Sequence, residues 1–173
     1  MPNELFDMMF KQHRAFFDQK ILGDGPRSFW DQVKDNDPRL HNSPLVHVRD
    51  WKNRAVPLTI FGDGVSSTRA GNSLHCLCWG SMLGSGWSQD SVFLAAGWPK
   101  GACAVRDKHG VSALDVLWSW LRVGFDALFH GQHPSNDPEG MPLRNELAGK
   151  SIADGEYFGV VWGIAADLEY AAN

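Results

Sequence analysis

The spacing of apolar residues near the N-terminus is helical. Apolar side chains recur at intervals of three and four through about Gln19. Turn-forming Gly, Asp, Asn and Pro residues then follow as far as residue 45. This pattern predicts a helical lead-in over residues 1–45.

After residue 45 the pattern changes to one typical of β-strands. Three runs rich in apolar and small residues are separated by polar or Gly-rich segments, and they predict strands at Val56–Phe61, Leu74–Leu83 and Ser91–Trp98. The alanines of the third run also leave a helical interpretation open. The connections are short enough for an antiparallel meander.

The segment Val111–His130 predicts a long helix. Ser112 and Asp115 form a variant of the capping box, and polar residues step by three and four along one narrow stripe. A helix with so narrow a polar stripe is expected to be largely buried on one face of a sheet. We therefore expect Trp118 or Leu121 to anchor the core, with Asp126 on the polar stripe.

The continuous apolar run Tyr157–Ala166 predicts a fourth strand, buried on both faces as central parallel strands are. A long helix before it has the length that a right-handed crossover needs. The fourth strand should therefore lie beside the first and parallel to it. The predicted fold class is α/β, with a mixed four-stranded sheet. The elements follow one another along residues 46–173 in the order β-β-β-α-β.

Composition narrows the range of functions. The chain has 173 residues, 43% of them apolar, which suits one domain with a sizeable core. A net charge of −4 excludes a dedicated polyanion-binding protein. No run approaches the roughly 18 apolar residues that span a bilayer, and no secretory signal is evident. We expect no membrane association and an intracellular location, nuclear or cytoplasmic rather than secreted.

One local segment is basic. Arg49, Lys52 and Arg54 surround Trp51, a combination that could touch the phosphate backbone of DNA. The same segment is also compatible with an ordinary charged loop. His130 and His133, with Asp137 and Glu139 nearby, could hold a metal ion, but in a Pro-rich stretch they are more simply interpreted as solvated surface residues.

Two aspartates follow predicted strands that we expect to be neighbours. Asp63 comes after the first strand and Asp167 after the fourth. Carboxylates at one end of a sheet could share Mg²⁺ or Mn²⁺, and a pair of such ions supports phosphodiester cleavage. Each aspartate taken alone is also typical of a turn or a helix cap.

Three segments carry a resemblance to known proteins. Pro57–Gly64, Trp79–Gly84 and Gly155–Tyr170 resemble a large multi-copy family of uncharacterised algal proteins. The two Asp-bearing segments also resemble, more weakly, the first two acidic motifs of DDE-type transposases with a ribonuclease H-like core. The resemblance implies that Asp63 and Asp167 are metal-binding catalytic carboxylates, with Mg²⁺ or Mn²⁺ as the cofactor.

The resemblance also implies a fragment. Relatives continue past Asn173 into a helix, a Cys-x-x-Cys segment and, in transposases, the third acidic residue. The expectation is a truncated ribonuclease H-like nuclease domain over residues 46–173 that is inactive alone. The alternative is a non-catalytic protein-interaction module with an aromatic-rich surface, in which both aspartates are turn or cap residues.

Overall fold

A computed structural model describes residues 1–66, 73–85, 91–99, 101–102 and 106–166. Within these ranges one mixed sheet contains β1 (Ala55–Ser66), β2 (Ser73–Ser81), β3 (Val92–Pro99) and β4 (Phe158–Ala166). The order across the sheet is β3-β2-β1-β4, with β1 antiparallel to β2, β2 antiparallel to β3, and β1 parallel to β4. The predicted meander and the parallel return of the last strand are confirmed.

The first strand is longer than its sequence predicts. Gly62, Asp63 and Gly64 were expected to end the strand, but they lie within β1 and pair in register with β2, where Asp63 is opposite Cys76. The pairing with β2 continues to Ser66 and keeps these residues extended. The Gly-Asp-Gly segment is therefore strand and not turn.

The long helix begins where its capping residues predict. Helix α6 covers Ala113–His130, and the preceding Ser112 accepts a 3.1 Å hydrogen bond from the backbone N–H of Asp115. The Asp115 carboxylate accepts in return from the backbone N–H of Ser112 at 2.9 Å. These bonds satisfy donors that an uncapped helix leaves unpaired. The helix lies between β3 and β4 in the chain and forms the crossover.

The remaining helices are short, apart from the first. In chain order they are α1 (Pro2–Gln12), α2 (Arg14–Phe17), a π-helical turn (Asp18–Leu22), α3 (Pro26–Trp30), α4 (Pro38–His41), a 3₁₀ turn (Pro44–His47), α5 (Trp51–Arg54) and a 3₁₀ turn before β4 (Ile152–Gly155). None of the helices in the described ranges is long and apolar enough to cross a membrane.

One face of the sheet packs against α1 and α6. Phe6 and Phe17 of the lead-in share a core cluster with Leu58 of β1, Trp79 of β2 and Leu128 of α6. Each of these five side chains is fully buried. The lead-in is thus part of the main core.

Two glycines let α6 approach its neighbours closely. A Cβ on Gly124 would lie 2.9 Å from the Cε of Met1 in the segment leading into α1. A Cβ on Gly159 of β4 would lie 2.7 Å from Leu58 and 3.4 Å from the Cβ of Leu128 in α6. A larger residue at Gly124 would require the Met1 side chain to shift, and one at Gly159 would require the Leu58 side chain to shift.

The opposite face of the sheet packs against the second half of the lead-in. Trp30 of α3 is fully buried and contacts Trp51 and Trp162 edge to face, with ring centroids 5.1 and 4.9 Å apart. Its indole N–H donates a 2.7 Å hydrogen bond to the carbonyl of Ala55. This aromatic cluster ties α3 to the start of β1 and the middle of β4.

The prediction that the fourth strand is buried on both faces is wrong. Val160 and Trp162 are buried against the lead-in, but Val161 is 37% exposed and Ile164 is 78% exposed. The order of the described strands explains this, because β4 is the last in the sheet and has β1 on one side only.

The prediction that α6 is largely buried is also wrong for its N-terminal half. Leu121 is buried beside Ile60 and Leu77, as expected. Trp118 is 41% exposed and is not a core anchor. Apolar residues occur on both sides of α6, so apolar character alone does not indicate which side packs on the sheet.

These exposures predict a stability ranking for α6. Leu121→Ala should lower the free energy of unfolding by about 2 to 5 kcal/mol, since it leaves a cavity in the core. Trp118→Ala should cost less than Leu121→Ala, since Trp118 is 41% exposed, and Asp126→Ala should cost about 1 kcal/mol or less, since its side chain is largely solvated. Urea denaturation followed by circular dichroism gives the ranking. A larger loss for Trp118→Ala than for Leu121→Ala would contradict it.

The two fully buried tryptophans of the sheet region offer a matched comparison. The Trp30 N–H has its partner in Ala55, whereas the Trp79 N–H has no hydrogen-bond partner in the described part of the chain. Trp→Phe removes the same atoms at both sites. Trp30→Phe should therefore cost more than Trp79→Phe by at least about 1 kcal/mol, because only it breaks a buried hydrogen bond. Equal losses in urea melts would contradict this assignment.

Candidate functional site

The backbone places Asp63 at one end of the β1–β4 pairing. The described register between these strands ends with Gly62 opposite Ala166, and Asp63 is the next residue of β1. Asp167, the second predicted site residue, lies outside the described residues. The structure therefore places Asp63 in a strand. That Asp63 and Asp167 lie close together stays a prediction.

The spacing of parallel strands bears on the prediction that Asp63 and Asp167 share a divalent ion. Parallel neighbours lie about 4.8 Å apart, so carboxylates on adjacent strands are close enough to share an ion of the hard, oxygen-preferring type. Within the described ranges, no group of three or more His, Cys, Asp or Glu residues is arranged to hold a metal.

The basic segment is largely engaged in contacts within the chain. The Arg54 guanidinium donates to the carbonyls of Gly155 at 2.7 Å and Glu156 at 3.2 Å, which ties α5 to the turn before β4. The Lys52 ammonium lies 3.3 Å from the carboxylate of Asp31. These contacts favour a structural role for Arg54 and Lys52, and DNA contact through this segment stays a prediction.

A buried polar cluster joins the lead-in to the loops after α6. His133 is 3% exposed, and its Nε2 lies 3.0 Å from the Asp7 carboxylate of α1. Its Nδ1 lies 3.1 Å from the amide nitrogen of Asn3. Because that amide nitrogen donates, Nδ1 accepts and Nε2 carries the proton donated to Asp7. The interpretation of His133 as a solvated surface residue is wrong.

Asp7 is the centre of this cluster. Its carboxylate also accepts from the backbone N–H of Ala153 at 2.8 Å and from the Lys11 ammonium at 3.0 Å. Burial raises the pKa of Asp7, but the hydrogen bonds from His133, Lys11 and Ala153 together hold it below its ordinary value. The carboxylate thus stays ionised in the fold and fastens α1 to two distant loops.

The sequence carries only a faint signal of this cluster. Asp7 lies between Phe6 and Phe10 on the buried stripe of α1, where a charge needs a partner. Its partner Lys11 is one helical turn away, and Asn3, which contacts His133, is one turn away on the other side. His133 and Ala153 are far along the chain, so no local pattern could identify them.

Comparison with protein-family models, with curated proteins and with solved structures finds no match to this chain.

Asp7 predicts a specific loss of stability in acid. A carboxyl group whose pKa is lowered by folding stabilises the protein fully above its unfolded pKa, about 3.9, and this contribution is lost as the pH falls through the lower folded value. Asp7→Asn should reduce the free energy of unfolding at neutral pH by about 1.5 to 3 kcal/mol. It should also flatten the dependence of stability on pH below about 4.

Chemical denaturation at a series of pH values tests this expectation. Asp126→Asn is the matched control, because Asp126 is an exposed aspartate on α6. The control should follow the wild-type pH profile. An Asp7→Asn protein with the wild-type acid dependence would show that another group carries the effect.

Proposed function

We propose that this chain contains a metal-binding domain of the transposase-derived, ribonuclease H-like type, with Asp63 and Asp167 as carboxylate ligands of Mg²⁺ or Mn²⁺. One observation carries the proposal: β1 and β4 are parallel neighbours, and their described pairing ends at Gly62 and Ala166. Each of these residues is followed directly in the sequence by an aspartate.

The topology adds support from the connection between the two strands. The chain runs through a three-stranded antiparallel meander, crosses over through α6 and returns beside β1. A crossover of this kind makes β1 and β4 run in the same direction, so residues that follow them in sequence leave the same end of the sheet. Two aspartates from distant parts of the sequence would then meet without any local motif.

Each aspartate has a simple chemical role in this proposal. Their carboxylates would hold the ion at the sheet end and fix its position relative to a bound phosphodiester. The metal, when bound, would polarise a phosphoryl oxygen and help generate a hydroxide nucleophile. The resemblance supplies only two of the three acids of a transposase centre, so metal binding rather than cleavage is the property to measure.

A second candidate has its own observation. Val116 and Trp118 on the outside of α6, and Ile164 on β4, are large apolar side chains with 44%, 41% and 78% exposure. Exposed apolar groups of this size favour a protein-interaction module when they are contiguous. In that case Asp63 is a strand residue without a ligand, and the chain should not respond to divalent ions.

Thermal unfolding with and without millimolar Mg²⁺ or Mn²⁺, at matched ionic strength, tests the proposal. Two ionised carboxylates held close together repel each other, and a cation that binds only the folded state relieves this and stabilises it. The wild-type melting temperature should rise by about 1 to 3 °C. Asp63→Asn and Asp167→Asn should each abolish the rise and leave the metal-free protein as stable or slightly more stable.

Asp126→Asn again serves as the matched control, because it removes an exposed aspartate without touching the sheet end. It should keep the wild-type response. A wild-type protein with no metal-dependent shift, or an Asp63→Asn protein that responds as the wild type does, would replace the proposal with the interaction module.

A further inference from the structure

A groove lies where the lead-in meets β4. Its volume is about 540 Å³, within the range of small-molecule sites. Apolar side chains from three parts of the chain line it: Phe29, Val33, Met82 and Trp162.

The Arg39 guanidinium contacts Asp37 and Trp162 in this groove. Its Nε and Nη2 donate to the two carboxylate oxygens of Asp37 at 3.0 and 2.8 Å. Its Nη1 donates to the carbonyl of Trp162 at 3.4 Å, and its Cζ lies 4.1 Å from the centre of the Trp162 ring. The hydrogen bonds from Arg39 hold the pKa of Asp37 at about 2, so the pair stays ionised at all ordinary pH values.

This arrangement restricts what Arg39 can bind. Each of its three nitrogens already donates one hydrogen bond, and Asp37 occupies the Nε–Nη2 edge, one of the edges with which Arg grips a carboxylate in the bidentate manner. One flat face covers Trp162, and the side chain is still 55% exposed. What Arg39 offers to a ligand is therefore a flat cationic surface, on which a planar ring can stack.

The charge of the lining favours an anion. Asp37 and Arg39 compensate each other, and Lys34 is an exposed third charged residue of the groove. Lys34 forms no ion pair within the described ranges of the chain. The lining therefore has a net positive charge, located beside an aromatic and cationic stacking surface.

We propose that this groove binds a nucleotide unit, with its base stacked on Arg39 and its phosphate near Lys34. A base stacks on the flat face of Arg39, whereas a peptide carboxylate would compete with Asp37 for the Nε–Nη2 edge of the guanidinium. The unit could come from single-stranded nucleic acid or from a free mononucleotide. The proposal goes beyond the metal site and needs no metal.

Binding is measured with the full 173-residue chain in the presence of EDTA. The probes are a fluorescein-labelled single-stranded oligothymidylate of about ten nucleotides, followed by anisotropy, and AMP, followed by calorimetry. Binding of the oligonucleotide alone would identify the strand as the source. Binding of AMP that is weakened by the same substitutions would identify a free mononucleotide as the ligand.

The variants separate stacking from charge. Arg39→Lys keeps the charge but removes the planar face, and it should weaken binding at least about fivefold, in line with the loss of one stacked base. Lys34→Gln should weaken binding about three- to tenfold and reduce its dependence on salt. Arg122→Gln, which removes an exposed Arg of α6 outside the groove, is the matched control and should bind as the wild type does.

Lys34 is exposed, so its replacement tests the groove without risk to the fold. The proposal is overturned if neither probe binds at millimolar concentration, or if Arg39→Lys and Lys34→Gln bind as tightly as the control. It is also overturned if a short acidic aromatic peptide binds instead and loses affinity in both variants. Because EDTA is present throughout, none of these outcomes depends on the metal proposal.

Discussion

The parallel pairing of β1 with β4 is the contact from which the other features follow. Parallel neighbours cannot be joined by a tight turn, so the chain must leave the sheet and return over one of its faces. Helix α6 makes this return, and its path determines which residues of β1 are buried beneath it, among them Leu58 and Ile60. The same pairing brings the end of β4 beside Asp63, which is the basis of the proposed metal site.

The lead-in stabilises this pairing from both faces of the sheet. On one face, α1 supplies Phe6 to the core and is fastened by Asp7 to His133 and to the backbone of Ala153. On the other face, Trp30 is packed against Trp162 and hydrogen-bonded to Ala55. Damage to the lead-in should therefore unfold the sheet as well, since these contacts belong to the same cores.

An irregularity in β4 links the sheet to the groove. The register with β1 shifts between Leu58, which is opposite Val161, and Thr59, which is opposite Gly163, so that Trp162 is the extra residue. Such bulges re-aim side chains. Trp162 lies against Trp30 and beneath the guanidinium of Arg39, and this position builds one wall of the groove.

The sequence by itself determined the elements and their order. The spacing of apolar residues predicted the strands and the long helix, Ser112 and Asp115 predicted where that helix begins, and the length of the crossover predicted the parallel return of β4. These features depend on residues within one helical turn or one strand, or on the length of a connection. They can therefore be predicted from a single sequence. It also supplied Asp63 and Asp167 as candidate ligands.

Only the tertiary structure decided which side of each element is buried and which distant groups meet. Trp118 and Leu121 are both apolar residues of α6, and only the position of the sheet leaves the first exposed and the second enclosed. Likewise, Asp7 and His133 meet, and Arg39 stacks on Trp162, across long stretches of chain. Which residues pack together or form hydrogen bonds across the chain depends on how the helices are placed against the sheet. The local spacing of apolar residues does not specify that placement.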